Sequence, residues 1–85
     1  MAEEFKPGYH LRPIMKGVLG EVSKIREEVE ELEDAHEQGV IIMELVELAD
    51  LYGAMRARVE KLGHTMRDLE QMSAVTARAF QNGRR

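Results

Sequence analysis

The chain contains no cysteine and no tryptophan, and it has only two prolines, two phenylalanines and two tyrosines. The lack of cysteine excludes disulfides, a thiolate nucleophile and cysteine-based zinc sites, and it fits a reducing compartment. Long apolar runs are missing too. The longest, Val40 to Met43, falls far short of the roughly 20 residues that a spanning helix needs. The opening residues, Met-Ala-Glu-Glu-Phe-Lys, lack the apolar core of a signal peptide. A soluble, cytoplasmic protein with no membrane partner is expected. No Walker loop, dinucleotide glycine pattern or Ser/His/Asp arrangement is present.

At 85 residues the chain holds one domain at most, and one this small buries a modest share of its surface. Without disulfides or structural zinc, self-association is the remaining source of stability. A homo-oligomer, dimer or tetramer, is therefore expected.

The formal charge of −4 conceals a strong asymmetry. Between Glu21 and Asp50 stand eleven acids against Lys24 and Arg26, whereas Leu51 to Arg85 carries three acids and seven Lys/Arg. This is a poor footprint for stable nucleic-acid binding. It suits a site that holds a cation and a polyphosphate together.

Apolar spacing divides the chain into an arm (1–13), a helical domain (14–81) and a basic tail (82–85). Ile14, Val18, Val22, Ile25, Val29 and Leu32 fall at helical spacing, which predicts a first helix from Ile14 with Pro13 in its first turn. Gly17 and Gly20 weaken its start and can admit another backbone. Gly39 is placed to close the helix in a left-handed conformation. A second helix is predicted from about Val40 to Leu62, with a seam of Ile41, Leu45, Leu48, Tyr52, Met55, Val59 and Leu62. Ile42, Val46 and Ala49 give it a second apolar face, so it wants partners on two sides. Thr65 can cap a third helix that runs to about Gln81, with Asp68 in its first turn. No strand pattern is visible. The expected fold is all-α, a short bundle of about three helices per chain completed by oligomerisation.

With roughly 100° per residue, Glu27, Glu30 and Asp34 lie on the open face of the first helix. Glu28 and Glu31 are i, i+3 neighbours flanking the apolar seam, and Glu47 and Asp50 repeat that relation on the second helix. Two antiparallel helices can bring these four carboxylates together, where a hard divalent cation such as Mg²⁺ offsets their repulsion. Either pair alone reads as ordinary solvated-face composition. The two pairs, on consecutive helices with a short loop between, leave both readings open.

Lys24-Ile-Arg-Glu27-Glu28-Val-Glu-Glu31-Leu, followed by Glu47-Leu-Ala-Asp50-Leu-Tyr52, resembles the E-E-x-x-E … E-x-x-D signature of the MazG-like all-α nucleotide pyrophosphohydrolases. The resemblance covers about Val18 to Met55, and the compact layout is similar to short MazG-like proteins of phage or prophage. It implies Mg²⁺ held by Glu28, Glu31, Glu47 and Asp50. It implies hydrolysis of a nucleoside triphosphate to the monophosphate and pyrophosphate, with Glu27 or Glu31 assisting the attacking water and Lys24 meeting a phosphate. The downstream Asn/Lys phosphate-contacting pattern of the family is not found; Arg78, Arg84 and Arg85 are candidates to replace it.

Elsewhere, His10, His36 and His64 share no ligand spacing and read as surface histidines, although His10 can reach the site if the arm folds over it. Phe5 and Tyr9 can anchor the arm or stack on a base. Tyr52 reads as core. Arg56 and Arg58 read as a solvated face, with phosphate contact as the alternative. The rival function is a non-catalytic helical assembly or adaptor protein, in which the seams are coiled-coil interfaces and the acids merely solubilise.

Overall fold

The computed structural model describes residues 10–81 and 83. Among these it holds three helices and no strand element: α1 (Val22–Gln38), α2 (Ile41–Lys61) and α3 (Met66–Gln81). None is long and apolar enough to cross a membrane. The connections are short. Gly39 adopts φ 74° and donates its N–H to the His36 carbonyl, so the chain reverses at once into α2. Before α3, the Thr65 hydroxyl accepts the Asp68 N–H at 3.2 Å, while the Asp68 carboxylate accepts the Thr65 N–H at 3.0 Å. This reciprocal cap satisfies two donors that a helix start otherwise leaves open.

Helix α1 packs along α2, whereas α3 approaches only α2. The Cα radius of gyration is 14.9 Å, against roughly 12 Å for a compact domain of this length. The chain is an open hairpin with a helix appended.

The first helix begins later than the apolar spacing predicts. Ile14 to Glu21 is not helical, and Val22 is the first helical residue. Two side chains hold this segment down: Glu27 accepts the Gly17 N–H at 2.8 Å and Ser23 Oγ accepts the Val18 N–H at 3.1 Å. Gly17 lies so close to the Ser23–Lys24 backbone that a Cβ there would overlap the Ser23 carbonyl. The expected approach of another backbone is thus made by the chain itself. Pro13 stands outside the helix.

The larger correction concerns which face is inside. The seam residues Val22 and Val29 of α1, and Ile41, Leu45, Leu48 and Tyr52 of α2, are exposed; Ile41 reaches 75%. The described buried apolar residues are Ile14, Ala35 and Ala54. The buried charged residues are Glu27, Glu28, Glu31, Asp34 and Glu47 instead, each at most 2% exposed, with Glu27 and Asp34 bonded to the segment before α1. Placing Glu27 and Asp34 on an open face is therefore wrong; Tyr52, expected in the core beside a subunit boundary, is half exposed in the single chain. Helical periodicity separates two faces but does not say which one meets the neighbouring helix of the same chain and which awaits another chain.

Candidate metal centre

Glu28 and Glu31 are one turn apart on α1, as Glu47 and Asp50 are on α2. Where the helices face each other, one oxygen from each of the four lies within 4.8 Å of all the others. Two ligands of one small cation are roughly 3.0 Å apart when adjacent and 4.2 Å when opposite, for metal–oxygen bonds near 2.1 Å. Small adjustments would close the four onto an ion. All four donors are carboxylate oxygens, the set that Mg²⁺ and Mn²⁺ accept and that softer metals do not require. Asp50 is exposed while the other three are buried, so the cluster opens to solvent on the Asp50 side.

Lys24 borders the cluster. Its ammonium lies 3.1 Å from Glu27 Oε1 and 3.2 Å from Glu28 Oε2. Partial burial works against its charge, but these two carboxylates prevail and hold its pKa above the ordinary lysine value. Beside it is an open cleft of about 460 Å³ lined by Leu19, Lys24, Glu28, Ala49, Asp50, Gly53 and Ala54. The small residues Ala49, Gly53 and Ala54 keep the α2 wall low. A carboxylate cluster that could hold a cation, one lysine and a cleft of ligand size thus adjoin.

Glu27 is committed to structure. Burial opposes its charge, yet the Gly17 N–H, Lys24 and Glu31 outweigh burial and lower its pKa. Asp34 is similar: burial is overcome by the Gln38 amide, the Arg12 and Leu11 N–H groups and nearby His10, so its carboxyl also sits below the usual range.

The arm brings a residue that spacing alone did not place. His10 is not a surface histidine, since its side chain is 3% exposed, with Nε2 3.7 Å from Glu31 Oε1 and 3.9 Å from Glu47 Oε2. Its contact with the acids depends on Asp34, which grips the next two backbone N–H groups. The only sequence signal for Asp34 was its register with Glu27 and Glu31 on one stripe. His36 and His64 are exposed as expected, facing Glu44 and Asp68. Arg56 pairs with Glu60 on the surface, and Arg58 donates to the Gly20 carbonyl at 3.3 Å.

Of the expected phosphate contacts, Lys24 is at the cleft. Arg78 falls on α3, but its side chain lies outside the described residues, as do Phe5, Tyr9, Arg84 and Arg85. No family model, curated protein or solved structure matches the chain.

Proposed function

We propose that this chain is a Mg²⁺-dependent nucleoside triphosphate pyrophosphohydrolase, similar to the MazG-like enzymes and active as a cytoplasmic homo-oligomer. The observation that carries this reading is the convergence of Glu28, Glu31, Glu47 and Asp50 from two helices onto one point. Burying several carboxylates together is costly unless a counter-charge is bound. A bound divalent cation supplies that charge and neutralises the phosphate oxygens of a substrate.

The remaining chemistry falls to the chain. The cleft beside Lys24 and Asp50 receives the triphosphate, and the Lys24 ammonium meets a phosphate oxygen. Water attacks the α phosphorus; a P–O bond forms there as the bond to the bridging oxygen breaks, and pyrophosphate leaves. The proton of the water passes to a carboxylate of α1. Glu31 and Glu27, the latter already held by the Gly17 N–H and Lys24, are the two candidates.

Self-association follows from the exposed seam. Covering residues such as Ile41, Leu45 and Leu48 contributes about 1.5–3 kcal/mol for each side chain fully removed from water. The same seam supports the rival reading of a non-catalytic assembly or adaptor protein. In that reading, however, the acids solubilise the surface, whereas Glu27, Glu28, Glu31 and Glu47 are buried.

The deciding experiment incubates purified protein with a panel of canonical and modified dNTPs plus Mg²⁺ and assays pyrophosphate. Release from at least one nucleotide, lost in Glu28→Gln and Asp50→Asn proteins of unchanged helical content, supports the enzyme. No hydrolysis of any nucleotide, together with no Mg²⁺-dependent thermal shift, favours the adaptor.

A further inference from the structure

The four carboxylates do not exhaust the donors at this point of the fold. His10, Glu31 and Glu47 form a second group whose ligand atoms lie within 4.8 Å of one another, sharing two acids with the first. Carboxylates stand on both sides of the imidazole, each beyond hydrogen-bond distance. Nε2 faces Glu31 at 3.7 Å and Glu47 at 3.9 Å, while Nδ1 faces Asp34 Oδ2 at 3.9 Å. Metal-bound histidines typically have one ring nitrogen on the ion and the other turned to a carboxylate or carbonyl, which orients the ring. The His10–Asp34 pair has that layout before any ion is considered.

The backbone around His10 is held by hydrogen bonds. Asp34 accepts the N–H groups of Leu11 and Arg12, and the Arg12 guanidinium reaches Glu37 at 3.1 Å and the Glu30 carbonyl at 3.4 Å. The ring therefore sits on a tethered segment rather than a free end. Its distances to Glu31 and Glu47 fall between the adjacent and opposite separations of ligands around one ion, roughly 3.0 and 4.2 Å.

We propose that His10, Glu31 and Glu47 form a second cation position beside the four-carboxylate centre, and that it takes a transition metal such as Mn²⁺ or Co²⁺. Co²⁺ and, less strongly, Mn²⁺ accept imidazole nitrogen beside carboxylates, whereas Mg²⁺ holds to oxygen. Glu31 and Glu47 would be shared by the two positions. The inference rests on the reading of the carboxylates as a cation site, and the two can fail separately.

The test is pulsed electron paramagnetic resonance of the Mn²⁺-loaded full chain, read for ¹⁴N modulation from a coordinated imidazole. Because His36 and His64 are exposed, a His36→Ala/His64→Ala background removes adventitious nitrogen. Expected are ¹⁴N modulation in that background, its loss on adding His10→Ala, and a Mn²⁺ affinity lowered ~10-fold, at least the cost of losing a supporting partner. Mg²⁺ affinity should not change. Mn²⁺ bound without ¹⁴N modulation, or with modulation that survives His10→Ala, overturns the His10 position and leaves the carboxylate centre standing. If the parent protein binds no Mn²⁺ at all, both readings fall. The His36→Ala/His64→Ala spectrum decides the matter even should His10→Ala fold poorly, because His10 is then the one histidine left.

Discussion

The Asp34 carboxylate holds Leu11 by its backbone N–H, 3.1 Å from one oxygen and 2.9 Å from the other, across 23 residues of sequence. The Arg12 N–H joins it at 3.2 Å. A fully buried acid thus acts as a peg for Leu11 and Arg12, next to His10. Hydrogen bonds to a charged group contribute about 1.5–3 kcal/mol each, and removing a shared acceptor leaves donors to find new partners. Asp34→Ala is expected to destabilise the fold by about 2–3 kcal/mol. It should also expose the bond after Lys16 to trypsin; urea denaturation and limited proteolysis check the two effects. Unchanged stability with an intact arm would show that the peg is dispensable.

The same residue sets an acid limit. Its folded pKa is lowered, so its contribution is present in full above the unfolded aspartate value of roughly 3.9 and is lost as pH falls through the lower folded value. Stability of the parent is expected to drop as pH falls below about 4. Asp34→Asn should flatten that part of the profile while lowering stability at neutral pH. Denaturant midpoints at each pH, compared between the two proteins, measure the difference.

Gly17 is required for space, not for an unusual backbone angle. A Cβ would overlap the Ser23 carbonyl, and the displaced loop would draw the Gly17 N–H away from Glu27. Gly17→Ala is expected to cost about 1–3 kcal/mol, the usual range for overpacking. Thermal unfolding checks it. A melting temperature equal to that of the parent would mean that the loop moves aside freely.

How much of this was legible beforehand follows from what periodicity can report. Gly39 as a helix stop, the Thr65–Asp68 cap and the paired register of Glu28 with Glu31 and Glu47 with Asp50 are local relations, fixed by spacing along one helix. Those are present in the structure. Which face of α1 meets α2 is a relation between elements, and there the apolar rule pointed the wrong way. Glu27 and Asp34 were assigned to water because an apolar seam existed opposite them. The structure leaves Val22 and Val29 of that seam exposed and Ile25 and Leu32 half-buried, and it buries Glu27 and Asp34 against the segment before α1. His10 depends on a contact across most of α1, which no spacing in the arm encodes.

Cation binding should reverse the sign of a substitution. Without divalent ions, neutralising Glu47 relieves repulsion among buried carboxylates, so Glu47→Gln is expected to melt at or above the parent temperature in chelator. With Mg²⁺ at ~100 times its Kd, the parent gains about 2.7 kcal/mol, a rise of roughly 10–20 °C for a domain this small. Glu47→Gln should gain much less, so the order of the two proteins inverts. Parallel melts with and without Mg²⁺ check it. The same order in both conditions would remove Glu47 from the ligand set.

The exposed seam makes the last prediction. Leu45 and Leu48 of α2 are about half exposed, with Ile41 and Tyr52 on the same stripe. A stripe of this kind on a free monomer costs stability and solubility, because large apolar patches mark interaction sites. If copies of this chain cover it, a charge placed there must be desolvated in the assembly but not in the monomer. Leu45→Glu is therefore expected to shift the protein to monomer in sedimentation or light-scattering measurements. It should lower the melting temperature as well, since assembly stabilises the fold by mass action. Glu60→Gln, on the surface beside Arg56, should leave the mass unchanged. A monomeric parent, or an assembly indifferent to Leu45→Glu, would mean that the seam is not the interface. The pairing of a buried acidic face with an exposed apolar one would then need another partner to explain it.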